Sequence, residues 1–141
     1  MEDELKLFTS RYQRFRPDQG APVRTTVGAP RFPLPYDLAG FARVLAPSYA
    51  MLKLDEAPYR YIYVERLEAA GVDVIADDLA AIADVAGDER LVLLCFCDLS
   101  VSPPNAWCHR RMFAAWWQEQ TGQEVPELAE LPEPPAPTLF D

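Results

Sequence analysis

A chain of 141 residues, half of them apolar, is the size of one domain and can bury a real core. Its net charge of −9 excludes an extensive nucleic-acid surface, which would need Lys and Arg to neutralise phosphates. The acidic opening "MEDELKLF" does not fit a signal peptide, and "LVLLCF", the longest strongly apolar run, is too short to span a bilayer.

The charge is unevenly placed. Residues 123–141 carry Glu124, Glu127, Glu130, Glu133 and Asp141 with no Lys or Arg, while Arg11, Arg14, Arg16, Arg24 and Arg31 face a single acid, Asp18. That basic stretch reads as a local anion site or as a solvated edge. Three cysteines, two of them separated by one residue, make a poor disulfide framework. A reducing cytoplasm is the expected location.

In chain order, "LKLFTSRY" (5–12) and "APVRTTV" (21–27) predict strands, the second ended by Gly28 and Pro30. "RFPLPY" must be irregular, because Pro33 and Pro35 cannot donate to a ladder. Asp37 predicts the cap of a short helix with Leu38, Phe41 and Leu45 on one face, stopped by Pro47. Pro58 and Gly71 bracket a second helix, with Tyr59, Ile62, Tyr63 and Leu67 at helical spacing. Asp73 caps a third, with Ile75, Leu79 and Ile82 inward and Gly87 at its end.

"RLVLLCFC" (90–97) has the continuous apolar pattern of a strand covered on both faces. Asn105 predicts the cap of a last helix over 106–121, with Phe113, Trp116, Trp117 and Gln120 along it and Gly122 closing it. Its aromatic spacing is that of core residues. The prolines and acids from Glu124 onward predict an extended, weakly ordered tail. Together these elements predict an α/β domain over 1–122, a small, largely parallel sheet flanked by helices in Rossmann-like layering, followed by an acidic, Pro-rich flexible tail over 123–141.

All three cysteines and the only histidine fall in "LVLLCFCDLSVSPPNAWCHRRMFAAWW" (91–117). Ligands of such sheets bind at the carboxyl ends of strands, where Cys95 and Cys97 are expected. With Asn105 as cap, Cys108 would be the third helical residue, where the helix dipole and Arg110 favour a thiolate. Three readings follow. Cys108 is a nucleophile or redox thiol, supported by His109 and Arg110, with Arg24, Arg31, Cys95 and Tyr63 holding a phosphate-bearing small molecule or nucleotide. Alternatively, Cys95, Cys97, Cys108 and His109 bind zinc, a permitted closed ligand set, although the spacing is not a common knuckle. In the third reading the cysteines are small core hydrophobes.

Leu93–Leu94–Cys95 followed by Cys108–His109–Arg110 resembles a bacterial and phage family, the domain-of-unknown-function family 488. Arg24, Pro30–Arg31, Ala46–Pro47–Ser48 and the aromatic helix from Tyr59 to Leu67 resemble one of its branches, so the likeness covers about residues 5–121. Where that family has Glu two residues after the strand cysteine, this chain has Cys97. The resemblance implies an α/β domain with a shared pocket and, through the phage and mobile-element setting, nucleic-acid or nucleotide metabolism; it supplies no reaction. The tail's Leu139–Phe140 is similar to the short peptides with which bacterial replication and repair proteins engage the sliding clamp, with Ala136 where the leading Gln usually stands. That likeness implies a replication partner reached through the tail; no membrane partner is expected.

Overall fold

The structure, a computed structural model, describes residues 5–99 and 107–129. Its centre is a four-stranded parallel sheet: β1 (Lys6–Arg11), β2 (Ala21–Arg24), β3 (Gly40–Phe41) and β4 (Arg90–Cys95), in the order β1-β4-β2-β3. The apolar run is β4, one of the two interior strands. Lys6 to Arg11 pair with Arg90 to Cys95 on one side, and Ala21 to Arg24 with Leu91 to Leu94 on the other. Leu91 to Cys95 are all buried, as a strand covered on both faces requires.

Side-chain alternation splits β4 between two apolar clusters. Leu91 and Leu93 join the larger one, built with the buried faces of α1 (Glu56–Ala70), α2 (Val72–Ala86) and α3 (His109–Thr121). Val92 and Leu94 join the smaller one with Tyr12 and Phe15, covered by Leu34, Tyr36 and Leu38 from the proline-rich stretch rather than by a helix. No described helix is long and apolar enough to cross a membrane.

The α/β class and the parallel sheet are as the sequence predicts, and several boundaries differ. The second strand stops at Arg24; the Thr25 amide still donates to Leu94 O, while the Thr25 side chain turns to the candidate site described below. The short helix expected from Asp37 is absent: Gly40–Phe41 pairs with Val23–Arg24, and only Arg43–Leu45 makes a turn of 3-10 helix. A helix of about two turns bears a costly nucleus for few hydrogen bonds, whereas the sheet edge offers ready partners: the Ala39 amide donates to Pro22 O and the Ala42 amide to Arg24 O. Gly40 also permits close packing, since a Cβ would lie 2.9 Å from Ile82 Cγ2 of α2. In α1, Tyr59, Tyr63 and Leu67 face the core while Ile62 is exposed; in α2, Ile75, Leu79 and Ala83 are buried, with Ile82 only partly so. Gly71, at φ +87°, is the single residue between the two helices, a conformation that favours glycine.

α3 begins at His109, not at 106, and its N-cap is Cys108; Asn105 lies outside the described residues. Phe113, Trp116 and Trp117 are core, as their spacing predicts. The expected tail is packed at its start. Thr9 bridges Glu127, the Thr9 amide donates to Pro126 O at 2.9 Å, the Leu128 amide donates to Thr9 O at 2.7 Å, and Val125 and Ala129 are buried. Residues 125–129 therefore belong to the folded domain: the free edge of β1 offers backbone partners that outweigh the loop-like composition.

Candidate functional site

The carboxyl ends of β4 and β2 and the start of α3 meet around a cavity of about 340 Å³. Cys95, Cys97, Cys108 and His109 line one part of it, and Tyr59, Phe96, Trp107 and Leu52 much of the rest. The three cysteine sulfurs lie within 4.8 Å of one another, with Cys95 and Cys108 buried and Cys97 exposed. The strand has ended before Cys97, so strand alternation does not bring Cys95 and Cys97 together; the turn after β4 does.

The Cys95 and Cys108 sulfurs are 2.6 Å apart, longer than a ~2.05 Å disulfide bond; both are free thiols. Burial pushes the Cys95 thiol up to about 12 and the Cys108 thiol higher still. Hydrogen bonding to Cys108, then burial, raises Cys97 to about 12. The thiolate expected at Cys108 is thus disfavoured, because desolvation outweighs the attraction of Arg110.

Hydrogen bonds determine the tautomer of His109. Its Nε2 lies 2.9 Å from the Thr25 carbonyl oxygen and 3.2 Å from Thr25 Oγ1. The carbonyl only accepts, and the single hydroxyl hydrogen of Thr25 is donated to Leu94 O at 2.8 Å. Nε2 must therefore carry the proton. Nδ1 is left with its lone pair, 3.6 Å from Cys108 Sγ. Burial holds the ring neutral by lowering its pKa to about 4. Tyr63, expected as a ligand contact, instead packs against His109 with ring centroids 5.6 Å apart and donates its hydroxyl to Leu45 O. It supports the ring without lining the cavity.

Arg110 is 1 % exposed. Its Nη1 donates to Cys95 Sγ at 2.9 Å and to Cys97 O at 2.7 Å. Its Nε and Nη2 form a fork on the Glu127 carboxylate at 2.8 and 3.1 Å. Burial opposes the charge, but Glu127 holds the guanidinium firmly protonated. Arg111 anchors the same segment by donating to Val125 O and Thr9 Oγ1.

Of the expected anion contacts, neither Arg24 nor Arg31 lines the cavity. Arg24 donates to the Thr26 and Val27 carbonyls from behind the cavity wall and stacks on Phe41 at 3.9 Å; Arg31 is exposed. Its basic neighbours Arg11 and Arg16 pair with Asp98 and Asp18. A bare count of arginines in 11–31 cannot show that their donors are already engaged. Leu139 and Phe140 lie outside the described residues.

Sequence reasoning missed Thr25, Tyr59 and Glu127 as parts of this site. Tyr59 precedes Tyr63 by one helical turn, a pairing that points to the cavity end of α1 only once the sheet order is known. Glu127 is hidden among tail acids and carries no local signal. No family model, curated protein or solved structure matches the chain.

Proposed function

We propose that Cys95, Cys97 and Cys108 hold a thiophilic divalent cation, zinc, with His109 Nδ1 as the fourth ligand, and that the protein is a metal-stabilised binding module. The observation that carries this reading is the convergence of three cysteine sulfurs within 4.8 Å. The state of His109 supports it: a neutral imidazole whose other nitrogen donates to a backbone carbonyl is the usual arrangement of a metal-ligating histidine. The convergent set is the three sulfurs alone; His109 Nδ1 lies 3.6 Å from Cys108 Sγ and would have to turn toward the other two sulfurs to complete the set. On binding, the Cys95–Cys108 pair would spread from 2.6 Å toward the ~3.8 Å sulfur–sulfur edge of a tetrahedron with bonds of ~2.3 Å to sulfur. Three thiolates would leave the centre at −1, which the adjacent Arg110 guanidinium, itself paired with Glu127, offsets only in part. Four protein ligands leave no coordination position for a reactant, so the centre is structural.

Protein purified without chelator is expected to contain about one equivalent of zinc. Cobalt substitution should give the intense visible bands of a tetrahedral sulfur-rich site. Cys108→Ser should lose the metal and Cys97→Ser should weaken its hold. Zinc well below one equivalent, together with unchanged stability of Cys97→Ser, sinks the proposal.

A second reading, of an enzyme-like pocket, is favoured by one observation. The Cys108 thiol, His109 Nδ1 and the Thr25 carbonyl are arrayed as nucleophile, base and orienting group. Arg110 is then a positioning residue beside Cys95. The Cys-His-Arg likeness to family 488 supports either version of a pocket built on these residues. A nucleotide or other phosphate-bearing ligand has less support, because Arg24 and Arg31 stand outside the cavity. Neutral buried thiols also suit a cytoplasmic setting.

The partner proposed for the tail is the sliding clamp. Full-length protein should bind a purified clamp with micromolar or weaker affinity, and Leu139→Ala/Phe140→Ala should abolish it. Equal signals for both chains, or none at ~100 μM, reduce the tail to a solubilising end.

A further inference from the structure

The cavity next to the cysteines is walled by Val27, Pro47, Leu52, Tyr59, Phe96 and Trp107. Three of these six are aromatic, and Tyr59 and Trp107 are set edge to face with centroids 5.0 Å apart. No Asp, Glu, Lys or Arg is among the described lining residues. Residues 1–4, 100–106 and 130–141 contain no Lys or Arg. The nearest guanidiniums are turned to other work: Arg24 to the Thr26 and Val27 carbonyls, Arg110 to Glu127, Cys95 and Cys97. An anion entering here would lose its hydration and gain no counter-charge. The net charge of −9 would repel it on approach.

We infer that this cavity is a binding site for a neutral, flat aromatic molecule of about two fused rings, seated between Tyr59, Phe96 and Trp107 and over the cysteine sulfurs. Size supports the class. An apolar cavity of about 150 Å³ accommodates one benzene ring, and this one measures about 340 Å³. Aromatic walls favour a flat partner through offset and edge-to-face contacts, and polarizable sulfur adds favourable contacts at ring edges. The inference deepens the binding-module reading by naming its ligand class, and it does not require the metal.

The test uses the full chain, zinc-loaded and chelator-stripped, with three probes that share one skeleton: 2-naphthol, its saturated analogue decahydro-2-naphthol, and 2-naphthyl phosphate. Binding is followed by calorimetry and by the indole resonance of Trp107. 2-Naphthol is expected to bind at least tenfold more tightly than the phosphate and at least threefold more tightly than the saturated alcohol. Leu52→Ala, at a position 56 % exposed, should weaken 2-naphthol at least threefold without changing zinc content or melting temperature, and Phe96→Ala should weaken it at least threefold while also lowering the melting temperature through lost packing on Tyr12. The inference is overturned by phosphate binding as tightly as naphthol, by loss of the preference for the flat ring, by no naphthol binding at 1 mM, or by unaffected variants. Zinc content is measured on the same samples. Naphthol binding without zinc leaves this inference standing and removes the metal reading; zinc without naphthol binding does the reverse.

Discussion

Replacing Glu127 with Ala is expected to destabilise the fold by about 3–5 kcal/mol, the usual cost of removing one partner from a buried ion pair. The Arg110 side chain is fully buried and that of Glu127 only 12 % exposed. The substitution would leave a guanidinium without its fork of hydrogen bonds, held away from water beside the cysteine sulfurs. It would also remove the acceptor for the Thr9 hydroxyl at 2.7 Å and for the Ala129 amide at 3.1 Å, loosening residues 125–129 from β1. Against a typical domain stability of about 5–15 kcal/mol, that is a large fraction. Chemical denaturation of metal-free protein measures it. Glu127→Gln, which keeps an acceptor but not the charge, should fall between wild type and Glu127→Ala. Glu124→Ala, at an exposed position of the same segment, should shift stability by less than about 0.5 kcal/mol. A loss below about 1 kcal/mol for Glu127→Ala would show that Arg110 finds solvent or another partner. Because Arg110 contacts Cys95 and Cys97, the same variant should weaken zinc by about 10–100-fold, the usual effect of disturbing the groups that orient metal ligands.

Zinc affinity should fall steeply with acidification, by up to about a thousandfold per pH unit near neutrality. The sign follows from the protons displaced. Cys95 and Cys97 are raised to about 12 and Cys108 further, so all three sulfurs are protonated in the metal-free protein at pH 7. Each must lose its proton to bind, and each unit of pH below the thiol pKa lowers the bound state about tenfold per thiol. His109, lowered to about 4, adds no proton above that pH. The expected release is therefore three protons, not four. Calorimetry in buffers of different ionisation enthalpy counts them directly. Release of one proton or fewer per zinc at pH 7 would mean that the metal is held elsewhere, or by fewer cysteines than the cluster offers.

The architecture was legible wherever a residue's environment depends on its sequence neighbours. A six-residue apolar strand, the glycines after α1, α2 and α3, and the spacing of Ile75 with Leu79 or Phe113 with Trp116 and Trp117 are local signals, and each places its element. The concentration of Cys95, Cys97, Cys108 and His109 after the apolar strand likewise pointed to the cavity they line, because a parallel sheet gathers its strand ends at one edge. What only the tertiary structure decided depends on partners distant in sequence. Asp37 to Leu45 carries a helical pattern, yet Gly40–Phe41 joins the edge of a sheet whose neighbour is Val23–Arg24. Glu127 sits in a stretch with the composition of a solvated tail, yet it pairs with Arg110 seventeen residues earlier and bridges Thr9 across 118. Arg24 looks like an anion ligand by charge, but its donors are taken by the carbonyls of the turn that follows it. The proton on His109 is fixed by Thr25, 84 residues away. Periodicity and punctuation report local backbone preference and average burial; which polar atom satisfies which other is a property of the packed chain, because burial and hydrogen-bond satisfaction exist only once distant segments meet.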